Sequence, residues 1–301
     1  MRNDNSSRFG KLMKLHFDQE SGALRFASVA HYLLEKSRVT LQMAGEQAFH
    51  AFYLLCAGAP SEMRTRLHLG DGTTAHERFG FLQEPSAALA ATFQASFDET
   101  TDALRTLASG TGAADAEVQV MVEGHWRTCA AILHLGEIRF DALETRSADP
   151  ASVVSDSCAP AVAFAADLLG CTGSDLVWAL THRKIRGVPS PRTPREASVT
   201  RDTLAKAVYE RNFDAIVKRV NTALVDDGKR AAAPHKELFI GLLDIFGSEI
   251  FPTNGFEQVR HLLHLPSTTL HDPPCPFADL PRPSLTFAGL RWPSLTFADL
   301  R

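Results

Sequence analysis

The sequence predicts a helix-rich α/β fold, and three observations carry that prediction. Segments 116–136 and 198–224 place apolar residues at the spacing of one helix face. Near the N-terminus, KLMKLHF (11–17) and ALRFASVAHYLL (23–34) flank the turn sequence DQESG, as the arms of a β-hairpin do. The run LFIGLLD (238–244) is short, apolar and closed by an acid, the pattern of a fully buried central strand.

The elements follow in order. Before the hairpin, Asn3, Asp4, Asn5, Ser6 and Ser7 favour turns, because short polar side chains bond nearby backbone groups. GEQAFHAFYLLCAG (45–58) predicts a helix with Phe49, Phe52, Tyr53 and Cys56 on one face, ended by Gly58 and Pro60. Residues 59–86 read as loop-rich, and EPSAALAATFQASF and DETTDALRTLAS as short helices around turns. In the helix at 116–136, Val120, Trp126, Cys129, Ile132, Leu133 and Leu135 face the core, and Gly136 stops it. Residues 142–157 read as polar and irregular, APAVAFAADLLG and GSDLVWALTHRKI as two further helices, and the proline-rich RGVPSPRTPRE (186–196) as a loop. Thr200 is the expected N-cap of the helix that carries Leu204, Val208, Ile216, Val217, Val220 and Leu224. Beyond about residue 260, PSLTFAGLR and PSLTFADLR recur ten residues apart, with CPFADLP as a degenerate earlier copy. Such short proline-punctuated units cannot bury a face on one another, so 261–301 is expected to be a disordered low-complexity tail.

Composition narrows the function classes. A net charge of -4 offers no global argument for nucleic acid or an anionic membrane. The five cysteines are scattered without CxxC spacing, which suits reduced thiols in a cytoplasmic protein better than a disulfide framework or a zinc site. No apolar run approaches the roughly 18 residues of a membrane span. His261 and His264 form an HxxH without a third ligand at metal spacing, and His50 and His134, in apolar helices, read as packed core residues.

The chemistry concentrates at two distant places. An apolar strand ending in Asp244 is an arrangement by which phosphate-hydrolysing proteins hold Mg²⁺, directly or through water. Gly247 lets a backbone N–H approach a phosphate oxygen, and Glu249 adds a second carboxylate. At the other end of the chain, Ser hydroxyls can complete a Mg²⁺ shell, Asn amides can orient a phosphate, and Arg8 is a bidentate partner for a carboxylate such as Glu249.

These stretches resemble known ones. NDNSSRFGK (3–11) is similar to switch I of myosin motor heads, and LLDIFGSE (242–249) to their switch II. YLLEKSRVTLQMAGEQAFHAFYLL (32–55), AAILHLGEIRF (130–140) and RDTLAKAVYERNFDAIVKRVN (201–221) occur in the family's order, and NGFEQ (254–258) resembles the start of the relay helix. The resemblance implies a fragment of the myosin-type P-loop NTPase motor fold, mainly the upper actin-facing subdomain with a few central-sheet strands. It covers about residues 2–259, and a partial motor domain is expected over 1–260. By the same resemblance, Asn3 and Asn5 contact the nucleotide, Ser6 steadies the γ-phosphate and the attacking water, and Ser7 and Asp244 serve the Mg²⁺. Gly247 bonds the γ-phosphate, and Arg8 and Glu249 close the site as a salt bridge. One position departs from the pattern: Ser248 stands where the family usually has Phe.

The implied cofactors are ATP and Mg²⁺, and the implied partner is the actin filament, with neither nucleic acid nor a membrane span. The implied setting is the cytoplasmic actin cytoskeleton. Arg183, Lys184, Arg186, Arg192 and Arg195 occupy the family's actin-side loop, where basic residues suit an acidic filament. No GxxxxGK[ST] occurs: Gly10-Lys11 is followed by Leu12, and Gly228-Lys229 by Arg230. Two readings follow. One is an ATP-dependent actin motor represented by an incomplete head; the other is a non-catalytic fragment with at most weak actin binding.

Overall fold

The computed structural model describes residues 7–43, 45–70, 78–85, 87–144, 150–225 and 238–245. Asn3, Asn5, Ser6, Gly247, Glu249, the HxxH and the 261–301 tail lie outside the described residues.

A buried helix, Asp115–Gly136, is the axis on which the fold assembles. Trp126, Cys129, Ala130, Ala131, Ile132, Leu133 and Leu135 on it are fully buried. Labelling elements in chain order, this axis is α4, and α1 (His50–Gly58), α3 (Ala87–Ser109), α5 (Ala159–Leu169) and α7 (Pro194–Ala223) pack around it. Two short helices, α2 (Ser61–Arg66) and α6 (Gly173–Thr181), complete the described set. Glycine matters at two helix ends. At Gly58 an added Cβ would overlap the Phe97 side chain, so the lack of one lets α1 approach α3 closely. Gly170 caps α5 at φ 73°, a left-handed backbone that favours glycine.

Beside this helical body lies a three-stranded antiparallel sheet in the order β2-β1-β7: β1 (Gly10–Phe17), β2 (Leu24–Tyr32) and β7 (Leu238–Asp244). The predicted hairpin is therefore formed, and the Asp18 carboxylate closes its turn by accepting from the backbone N–H groups of Glu20 and Ser21. Two small hairpins, β3–β4 (Phe140–Leu143, Ala151–Val154) and β5–β6 (His182–Ile185, Val188–Pro191), sit on the helical body.

Several expectations are corrected. Strand β7 is not a buried central strand: among the described residues it pairs with β1 alone, and all seven of its residues are exposed. The helix expected from 45 begins at His50, with Phe49 extended before it. Residues 59–86 include α2, and the two short helices expected over 84–109 are one helix, α3, because no Gly or Pro interrupts the run from Phe97 to Asp102. Val120 is exposed because it lies on the solvent face of α4, while Val118 and Val122 on either side of it are buried. The stretch 142–157 supplies pairing strands, and 173–185 leaves the helix at Thr181 to enter β5. The expected loop at 186–196 is the turn and return strand of the β5–β6 hairpin, followed by the start of α7. Thr200 lies inside α7, where its hydroxyl bonds the Glu196 carbonyl. The cap is Thr193: its hydroxyl accepts from Glu196 N–H while the Glu196 carboxylate accepts from Thr193 N–H, and Pro194 occupies the first helical position. Leu224 is the exposed C-cap and faces no core.

Candidate functional site

The antiparallel register of β1 and β7 sets Lys11 opposite Asp244. The chain entering β1 and the chain leaving β7 therefore share one end of the sheet, although they come from opposite ends of the sequence. Ile245 packs close to Gly10, where an added Cβ would stand 3.0 Å from its Cγ2. Of the sequence-assigned residues, Ser7, Arg8 and Asp244 stand at this end. Ser7 is exposed just before β1. The Asp244 carboxylate is 74% exposed and lies 3.5 Å from Lys11 Nζ, an ion pair in solvent that holds little energy.

Arg8 is placed differently, half-sheltered at 13% exposure with its Nη1 3.5 Å from Glu35 Oε2. Its carbonyl also accepts the Glu35 backbone N–H at 2.9 Å. Glu35 is shared: Arg38 donates to its two oxygens through Nε and Nη2, at 3.3 and 3.2 Å. Arg38 Nη2 further reaches Glu46 at 3.1 Å, and its Nη1 donates to the Gln47 carbonyl at 2.9 Å. The result is a buried, charge-balanced row, Arg8–Glu35–Arg38–Glu46. Arg38 stays 5% exposed because each face of its guanidinium fork finds an acceptor. The resemblance assigned Arg8 to Glu249 and did not single out Glu35, Arg38 or Glu46. The signal was present in LEKSR, an acid and an arginine three residues apart inside an apolar context, and a helical turn at Lys36–Val39 makes them meet.

The basic residues sit on and beside the β5–β6 hairpin. Arg186 and Gly187, at φ 49° and 84°, form its two-residue turn. Arg183 pairs with Glu196 of the α7 cap at 2.8 Å, and Arg192 donates to the Ala179 carbonyl at 3.2 Å. Burial lowers the pKa of Arg192, which ties it to the body more than to solvent. Lys184 lies 5.7 Å over the Trp178 ring, itself stacked on His182, while Arg186 and Arg195 are exposed. Exposed Ile185 and Val188 make the tip both basic and apolar.

The model of the myosin head (motor domain) matches residues 1–261. The chain belongs to the myosin head family. Unconventional myosin IC of Drosophila melanogaster is 40% identical over 263 residues, covering 85% of this chain and 23% of that protein. Unconventional myosin ID of the same organism is 36% identical over 261 residues, covering 85% and 24%. Myosin-K heavy chain of Dictyostelium discoideum is 34% identical over 267 residues, covering 86% and 28%. The chain thus spans about a quarter of the length of the curated relatives it matches. As a myosin head segment it is helix-rich with small sheets, and no single described helix is long and apolar enough to cross a membrane.

Proposed function

We propose that this segment is the upper, actin-facing part of an ATP-dependent motor head, contributing the switch side of a Mg·ATP site. The observation that carries the reading is the β1–β7 register within a chain of this family, which gathers Ser7, Arg8 and Asp244 at one sheet end. The donor set fits Mg²⁺: the Ser7 hydroxyl and Asp244 carboxylate are hard oxygen donors, and the carboxylate is open to solvent. Held by these two residues, the ion would supply neutralisation of phosphate charge. Arg8 is held beside the sheet end by Glu35, positioned to orient an anionic group by charge. Asn3, Asn5, Ser6, Gly247 and Glu249 complete the proposed nucleotide side.

The 301 residues contain no GxxxxGK[ST], hence no backbone cradle or lysine of that kind for the phosphates. This favours the second reading for the polypeptide by itself: a non-catalytic half-site. Titration of the purified chain with a fluorescent ATP analogue and Mg²⁺ is expected to show no saturable micromolar binding and no turnover. Micromolar binding with hydrolysis overturns the half-site reading. For the partner, co-sedimentation with F-actin is expected to be weak and salt-sensitive, and lowered further by Lys184→Ala with Arg186→Ala. Binding indifferent to both salt and these substitutions removes the hairpin as the actin surface.

A further inference from the structure

The outer edge of β2 carries backbone groups that an edge strand normally leaves open. Here one side chain pairs with that edge at Val29. Asn221, near the C-terminal end of α7, accepts from Val29 N–H through Oδ1 at 2.6 Å and donates through Nδ2 to the Val29 carbonyl at 2.8 Å. That reciprocal pair is what a neighbouring strand residue supplies across an antiparallel ladder.

The clamp has company on the same helix stripe. Asp214 bonds His31, two residues along β2 from Val29, at 2.7 Å, and Glu210 bonds Lys36 at 2.8 Å. Phe213 packs edge-on against both His31 and Phe9, with ring centroids 4.9 and 4.8 Å apart. Phe9 directly follows Arg8. Helix α7 therefore touches the sheet on both sides of the segment that holds Arg8: at Phe9 before β1, and along β2 up to Lys36 beside Glu35.

We infer that Asn221 is a positioning residue, a side-chain clamp that fixes β2 to α7 and thereby sets the place of Arg8 at the end of the sheet. The role given to Arg8 rests on the proposed function; the position of Arg8 does not. A backbone hydrogen bond reports it, since Glu35 N–H donates to the Arg8 carbonyl. Amide exchange at Glu35 thus reads where Arg8 is, and exchange at Val29 reads the clamp.

The experiment is residue-level hydrogen–deuterium exchange on the full chain and on Asn221→Leu, which keeps the branched side-chain shape and removes both bonds. Exchange is expected to rise about tenfold at Val29 and to rise together with it at Glu35, while the amides of α4 keep their protection. Acceleration at Val29 without Glu35 overturns the positioning role. So does equal acceleration throughout α4, which marks Asn221 as ordinary fold stability, and so does no change at Val29. Asn221→Asp, which retains an oxygen for Val29 N–H, guards against a Leu variant that fails to fold. Its second oxygen faces the Val29 carbonyl with no proton to donate, so both amides are expected to keep only part of their protection, and loss at Glu35 despite protection at Val29 sinks the inference. None of these readouts involves nucleotide or actin, so their failure is distinct from failure of the motor reading.

Discussion

Glu35 is 4% exposed and stands between two arginines, which makes it the acid whose loss the fold feels most. Removing one partner of a buried ionic set leaves charge uncompensated and typically costs about 3–5 kcal/mol. Glu35→Ala is expected to lower stability by about that amount in urea melts, and Glu35→Gln by less, because the amide oxygen still accepts one bond. Equal stability of Glu35→Ala and wild type would show that solvent reaches the row. A second residue-scale expectation concerns pH. Burial pulls the His125 and His134 imidazoles down to about 4, against hydrogen bonds with Asn212 and the Leu67 carbonyl that act the other way. Both are neutral in the folded chain at neutral pH, and His134 Nε2 donates to the Leu67 carbonyl at 2.9 Å. A folded pKa below the unfolded value of about 6.5 means stability is full above 6.5 and is lost as pH falls towards 4, where the unfolded chain binds protons the folded one refuses. The loss is on the order of 3 kcal/mol for each ring. Thermal melts between pH 7 and 4 should show it, and His134→Gln, which retains an N–H donor, should flatten the slope. An unchanged slope would remove His134 from the account.

At the scale of elements, α1 and α3 meet where Gly58 faces Phe97. Alanine is the better helix former by about 1 kcal/mol. The new methyl, however, meets Phe97 at its Cβ and ring base, which cannot swing away as a chain tip can. Overpacking of this kind costs about 1–3 kcal/mol, so Gly58→Ala is expected to destabilise on balance, and a higher melting temperature would contradict the packing argument. The helices α4, α5 and the body of α7 were legible in sequence because their apolar spacing is long and their stops are glycine or a cap. The β5–β6 hairpin was not. Three prolines read as a loop, yet Pro189 and Pro191 stand in a strand that pairs, among the described residues, with β5 alone, an edge position where a missing N–H costs little. The start of α7 was misplaced for a related reason. Thr200 and Thr193 are both competent caps, and Pro194 with Glu196 decides in favour of the earlier one.

For the whole molecule, the exposed β7 is the main consequence. Leu238, Phe239, Ile240, Leu242 and Leu243 are each roughly half exposed on the two faces of a strand whose second edge has no partner among the described residues, and Ile245 just beyond it is exposed as well. Contiguous apolar surface on an open edge favours association. The full chain is expected to self-associate as concentration rises in sedimentation velocity, and Ile240→Lys with Leu242→Lys to restore a monomer. A wild-type monomer at every concentration would contradict this.

By itself, the sequence determined the family, the helical core around Trp126, the N-terminal hairpin and the residue types that suit a phosphate and Mg²⁺. All of these depend on local spacing or on contiguous stretches, which a linear chain displays directly. The tertiary structure alone decided that Ser7, Arg8 and Asp244 share one end of a sheet, that Arg8 lies against Glu35, and that Asn221 clamps the edge of β2 at Val29. Each of these joins segments distant in the chain through strand register or helix packing, and such register is set by which faces are buried together rather than by any one stretch. The burial of β7 was misjudged on the same ground. LFIGLLD has the composition of a central strand, but composition records what a strand is able to bury, and only its neighbours decide what it does bury.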